Sequence, residues 1–263
     1  MLIKGTLQKM ITEWQTPIQY YLDLGSHIVH LNQYIGKNIS IKHTYFECLC
    51  CHQDKPIFAQ GFCKSCYFKT PHTGDWVMNP ELSKAHLEQE DRDLDFEKKM
   101  QLQPHVVYLA NSSNLKVGVT RVSQIPTRWI DQGAEQAIPI VLTPNRYLAG
   151  ITEVALKNHV ADKTNWRRML ATKAPEVDLI AQKELLTQYV PQEAQSYIIT
   201  ENKLYDMVFP IVHYPVKINS INLSKTPEFT KKLIGIKGQY LIFEDGNVIN
   251  IRSHEGFGVE VNL

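Results

Sequence analysis

CLCCHQDKPIFAQGFCKSC, residues 48–66, holds all five cysteines of the chain. Cys48 and Cys51 form one CxxC pair, and Cys63 and Cys66 form a second. A tight turn between paired cysteines aims both sulfurs at one point, and two such turns supply the four thiolates of a closed, tetrahedral zinc site. The spacing predicts structural Zn2+ held by Cys48, Cys51, Cys63 and Cys66, with Gly61 giving the backbone freedom near the second turn. Cys50 leaves the first pair ambiguous by one position, and His52 or His72 could replace a thiolate. Buried reduced cysteines are the plain alternative. A redox CxxC would open a helix after a strand, a context absent here. Tyr45, Phe46, Phe58, Phe62, Tyr67 and Phe68, with Lys64 and Lys69, could stack bases and touch phosphates. A module this small needs most of its aromatics for its own core.

A second group of candidates lies downstream. HVVYLA (105–110) and LKVGVT (115–120) read as two strands around the turn-forming quartet NSSN. A plain four-residue loop would set Leu109 opposite Lys116 and Tyr108 opposite Val117, so that Tyr108 and Lys116 face opposite sides of the sheet. QIPTRWIDQGA then predicts a short helix from Pro126 to Gly133 with Arg128 in its first turn. IPIVL, 138–142, is a buried strand. RYLAGITEVALKNHV, 146–160, is a longer helix with Leu148, Ile151, Ala155 and His159 along one side and Glu153 off it. His159 reads as a core histidine. TNWRRMLA carries Asn165, Arg167 and Arg168.

Strand–hairpin–strand–helix–strand–helix, over residues 105–170, resembles the GIY-YIG endonuclease superfamily. VVY (106–108) stands where that family has GIY, and KVG (116–118) where it has YIG. Arg128 matches the arginine of the following helix, Glu153 the metal-binding glutamate, and Asn165 the asparagine beyond it. The resemblance implies phosphodiester hydrolysis, with Glu153 holding Mg2+ or Mn2+ and Arg128 neutralising phosphoryl charge. Tyr108 would orient the attacking water, and Gly118 would allow close backbone approach. Lys116 replaces the second tyrosine, a departure that weakens catalysis and favours phosphate binding. KVGVTR, IPTRWIDQGA and DKTNWR after a CxxC pair are also similar to a bacterial family of unknown function.

These residues need elements to hold them, and the chain divides accordingly. Residues 1–46 are β-rich, with strands expected at 2–9, 18–24, 26–32 and 38–46. Residues 47–80 form a zinc-ribbon-like module, 81–104 a charged, solvated helical connector, and 105–172 a GIY-YIG-like α/β domain with a small, mostly antiparallel sheet. Residues 173–204 are helical, Pro175 opening one helix and Pro191 another. Residues 205–263 return to strands, with Asp245-Gly246 as a hairpin turn. The class is α+β, and the β-rich ends are expected to pair.

Composition bounds the function. The chain has 263 residues, 43% hydrophobic and 21% charged, enough to bury a core. A formal net charge of +1 excludes a global positive field, so any nucleic-acid contact must come from a local patch. The N-terminal MLIKGTLQKMITEW has no signal-peptide pattern, and no apolar run is membrane-spanning in length; a cytoplasmic, reducing compartment is expected. Three readings follow. One is a metal-dependent nuclease with a structural zinc. Another is a non-catalytic DNA- or RNA-binding protein gripping phosphates through Lys116, Arg121, Arg167 and Arg168. The third is a zinc-stapled small-molecule or protein-interaction module. Plain explanations compete at each residue: Tyr108 as packing, Glu153 and Lys157 as a helical ion pair, and Arg128 with Asp131, or Arg167 and Arg168 beside Trp166, as surface charge.

Overall fold

The computed structural model describes residues 1–160 and 165–263. Its two ends meet in one sheet. Leu2–Thr6 pairs antiparallel with Phe257–Asn262, which pairs with Asn38–Phe46, and Asn38–Phe46 pairs with Glu228–Lys237. Tyr240–Phe243, Asn247–Asn250 and the short parallel Asn219–Ser220 complete seven strands. Period-two alternation drives this: Ile39 and Ile41 on one strand and Phe257, Val259 and Val261 on its neighbour are buried together. Gly246, at φ +79°, makes the turn expected at Asp245-Gly246. A separate three-stranded sheet, Ile11–Glu13, Gln19–Asp23 and Ile28–His30, packs beside it. The first and third expected strands are thus shorter than 2–9 and 26–32, the latter passing into a 3-10 turn at Leu31–Tyr34.

The central sheet is antiparallel throughout, in the order Tyr205–Asp206, Gln136–Thr143, His105–Asn111, Leu115–Arg121. His105–Asn111 is buried at every position, which explains its unbroken apolar run. Val107 and Leu109 face a core with Ile138, Ile140, Ala149 and Leu156. Val106, Tyr108 and Ala110 face the other way, into a core shared with Trp129 and the end sheet. The hairpin turn corrects the expected register. Asn111 pairs with Leu115, so the loop has three residues, and Tyr108 lies opposite Gly118. Tyr108 and Lys116 therefore share a face.

Other expectations give way to local chemistry. The helix Arg146–Lys157 buries Ala149, Gly150, Thr152, Glu153 and Leu156, so Glu153 lies on the packed face. Small residues make that face because Pro80 and Glu81 press on it: a Cβ at position 150 would lie 2.2 Å from the Glu81 amide nitrogen. His159 is exposed and stacks on Tyr189, with ring centroids 3.5 Å apart, so it is not a core residue. The connector helix Leu94–Gln101 is not merely solvated. Buried Glu97 accepts amide bonds from Asp91, Arg92 and Asp93, and Arg92 donates to the carbonyls of Tyr67 and Thr70 in the cysteine module. The helix Leu179–Thr187 begins after Asp178, whose carboxylate accepts from the Ile180 and Ala181 amides, rather than at Pro175. Residues 192–197 form a 3-10 helix.

Candidate functional site

Four sulfurs converge. Those of Cys48, Cys51, Cys63 and Cys66 all lie within 4.8 Å of one another, close to the roughly 3.8 Å edges of a tetrahedral thiolate site. Cys63 ends a hairpin, Ile57–Ala59 and Phe62–Cys63, turned by Gln60 and Gly61, both with positive φ. Cys66 lies in the one-turn helix Lys64–Tyr67 that follows, so against expectation the second pair does open a helix after a strand, though its sulfurs converge with those of the first. Cys50 is exposed and outside the group, which removes the ambiguity in the first pair. His52 faces solvent beside Glu47 and is likewise not a ligand, nor is His72, whose ring meets Phe96. Burial pushes the Cys48 thiol up, but amides of Cys63, Cys51 and Cys50 outweigh it and hold it at about 6. Four adjacent thiols, Cys48 among them with amides favouring its thiolate, can hold a metal ion. Phe58, Tyr67 and Phe68 cluster edge to face, yet Phe58 and Phe68 remain more than half exposed, so not all these aromatics serve a core.

The second site wraps the edge strand Leu115–Arg121. A cleft of about 230 Å³ is lined by Lys116, Arg128, Gln132, Arg146, Glu153 and Lys157, among others. Lys116 and Gly118 come from one face of the strand, and Val117 and Val119 from the other. Arg128 comes from the short helix Thr127–Asp131 and Glu153 from Arg146–Lys157. Among the described residues, Glu153 is the only carboxylate in the lining. Burial raises its pKa, while Lys157, 3.4 Å away, and Arg146 oppose the rise. Burial, helped by the charge of Arg128, lowers Lys116 to about 8.

Tyr108 stands behind this cleft and not in it. It is fully buried, and its hydroxyl donates to Gln132 Oε1 at 3.0 Å. Its ring lies over Gly118, where a Cβ would come within 2.6 Å of the hydroxyl oxygen. Burial raises its pKa, with the charge of Arg128 opposing.

The remaining candidates lie elsewhere. Asn165 caps the helix Trp166–Ala171 by accepting from the Arg168 amide, and its own amide donates to Ser113 Oγ. Arg167 lies over the Trp166 ring, and Arg168 donates to Asn114 at the hairpin turn. Asp131, suggested as a partner for Arg128, pairs instead with Lys9 at 2.6 Å. Of DKTNWR, residues 162–164 lie outside the described residues.

Arg146 was not foreseen. Its guanidinium donates to the carbonyls of Trp76 (3.1 Å) and Val77 (2.8 Å), and burial lowers its pKa to about 10. One signal was available: it opens its helix, where a cation opposes the macrodipole. Gln132 gave none.

Over residues 36–259 the chain matches the family described as Protein of unknown function (DUF2797). It belongs to that family. The match takes in the cysteine cluster, the hairpin, the cleft and most of the end sheet, so all the candidate sites are DUF2797 territory. Nothing among the curated proteins or the solved structures matches this chain. Among the described residues, no helix is long and apolar enough to cross a membrane.

Proposed function

We propose that this DUF2797 protein hydrolyses nucleic-acid phosphodiesters in the cleft at Glu153, with zinc as the structural ion of the cysteine cluster. The observation that carries the reading is the convergence of Lys116, Arg128 and Arg146 around one carboxylate. Three cations suit the charge of a phosphoryl group, and one carboxylate suits a metal that borrows its other oxygens from substrate and water. The GIY-YIG resemblance supports the same assignment. Its matching residues Arg128 and Glu153 line a single cleft, beside an antiparallel hairpin and a third strand.

The donor set fits Mg2+ or Mn2+ in one way only. Four nearby cations would repel a bare dication, so Glu153 would hold such an ion only together with a substrate phosphate. When bound, such an ion polarises the scissile phosphate and stabilises the leaving oxygen. Lys157 holds the Glu153 carboxylate in place beforehand. Arg128 forks onto the non-bridging oxygens. Lys116, on the same strand face as Gly118, adds a cation for the phosphate. Tyr108 is a positioning residue that holds Gln132 at the cleft wall.

The test is cleavage of single- and double-stranded DNA and RNA with Mg2+ or Mn2+ by wild type and Glu153→Gln. Loss of a hundredfold or more is expected, the scale of removing a catalytic electrostatic group. Activity unchanged by the substitution rejects the mechanism. One observation favours the second reading, a binder without hydrolysis: Lys157 already pairs with Glu153. That reading predicts salt-sensitive binding and no product with any metal.

A further inference from the structure

Three hollows run end to end along one side of the molecule. The cleft at Glu153 shares Val77, Arg128 and Arg146 with a second hollow of about 450 Å³. The second shares Gln60, Arg121, Arg146 and Arg252 with a third of about 370 Å³. Along this trough the chemistry changes. Its middle is cationic, and its far end is lined by Phe62, His72, Trp76 and Phe96. The His72 centroid lies 4.6 Å from that of Phe96 and 6.4 Å from that of Phe62, and Trp76 lies 6.5 Å from Phe96.

The middle hollow is cationic in excess: Arg121, Arg128, Arg146 and Arg252 line it, while its carboxylate Asp131 is taken by Lys9. Among the described residues, none of the ion pairs involves an arginine. Arg146 is fixed by two carbonyls, and Arg121, half-buried, has the Met100 sulfur 3.3 Å from its Nη1. Burial lowers the pKa of both, the sign of charge kept partly out of water. Glu153 and Glu81 act on Arg146 from a distance, and Glu255 lies near Arg252, but none is in ion-pair contact. Partly desolvated guanidiniums so placed suit a phosphate's geometry.

We propose that the trough takes an unpaired nucleotide of a single strand. The base stacks among His72, Phe62 and Phe96, its phosphate lies between Arg121, Arg146 and Arg252, and the strand continues to the cleft at Glu153. A base inside a duplex cannot reach the aromatic end, because both its faces are already stacked. Aromatic platforms accept any base, so the strand is bound with little sequence preference. The inference rests on the nucleic-acid reading above and names the substrate as single-stranded.

The test uses the full-length Glu153→Gln protein, so that binding is read without cutting. Fluorescence anisotropy compares a labelled strand of about a dozen nucleotides, as DNA and as RNA, with the blunt duplex and with a mononucleotide. The single strand is expected to bind about tenfold or more tightly than the duplex. His72 and Arg252 are exposed, so His72→Ala and Arg252→Ala retain the fold, which an unchanged Tm verifies. Each is expected to weaken single-strand binding about fivefold or more and to leave duplex binding alone. Duplex bound as tightly as single strand, or His72→Ala without effect, overturns the inference, and so does a mononucleotide matching the longer strand. Wild-type cleavage of duplex beside such results rejects only the single-strand assignment. Tight single-strand binding without cleavage by wild type rejects hydrolysis and keeps the trough.

Discussion

Tyr108 and Gly118 face each other across the hairpin, and the tyrosine ring fills the space a side chain at 118 would need. A Cβ there would sit 2.6 Å from the Tyr108 hydroxyl oxygen and 2.7 Å from Cζ. The ring also meets Trp129 edge to face, with centroids 5.7 Å apart, so it has no room to retreat. Gly118→Ala is therefore expected to destabilise by about 1–3 kcal/mol, the usual cost of overpacking. Tyr108→Phe keeps the ring and loses the Gln132 bond, at a cost of about 1 kcal/mol. Denaturant melts of both variants check this. An alanine at 118 as stable as glycine would show that the ring moves freely.

Legibility followed the range of the interactions. The four converging cysteines were readable because the two CxxC turns are local, each settled within a few residues. The hairpin strands were readable, but their pairing turned on whether Asn111 belongs to the loop or the ladder, and one residue reverses every face. Glu153 was placed off the packed side because apolar periodicity points to Leu148 and Ile151. The contact with Pro80 and Glu81 selects small residues instead. Arg146 and Arg252 join the trough from distant parts of the chain, and no local pattern announces that.

The cysteine cluster should behave as a folding element. Metal analysis is expected to find about one zinc per chain, abolished by Cys63→Ser and retained in Cys50→Ser, since Cys50 is exposed and lies outside the group of four converging sulfurs. Chelation should lower the Tm and loosen the hairpin Ile57–Cys63. Because Arg92 ties the module to the connector, helix Leu94–Gln101 should lose amide-exchange protection at the same time. Protection there unchanged by chelation would uncouple the two.

Lys116 makes stability depend on alkaline pH. Burial holds its folded value near 8, below the ordinary 10.5. Below pH 8 both states carry the proton, and the full cost of the buried charge is present. Between 8 and 10.5 the unfolded chain keeps a proton the folded chain has released, so stability rises with pH across that window. Lys116→Met is expected to remove the rise and to stabilise at pH 7 by ~1–3 kcal/mol. His105 has the same sign in acid: burial lowers its value from 6.5 to about 4, so its contribution is lost as pH falls through that range. Melts from pH 4 to pH 10.5 on wild type, Lys116→Met and His105→Gln separate the two. A Lys116→Met curve parallel to wild type above pH 8 would place the titration elsewhere.

The end sheet and the central sheet are joined by one buried charge pair, and that pair bears on the cleft. Lys237, with no exposed side-chain surface, closes the strand Glu228–Lys237 and lies 2.5 Å from Glu135 Oε1. Glu135 follows the helix that carries Arg128 and the wall residue Gln132, and it also accepts from the Ala174 amide. Beside it, Gln239 donates to Asp131 at 2.9 Å, and Asp131 pairs with Lys9. These contacts fix the angle of the Arg128 helix against the end sheet. Glu135→Gln leaves the Lys237 ammonium buried without its counter-charge and is expected to cost about 3–5 kcal/mol. The double variant Glu135→Gln, Lys237→Met should recover most of that, because the lysine's neighbours include the Phe209 and Tyr214 rings. If the pair also sets the Arg128 helix, the double variant regains stability while its nucleic-acid affinity stays below wild type. Full recovery of both would confine the pair to stability alone.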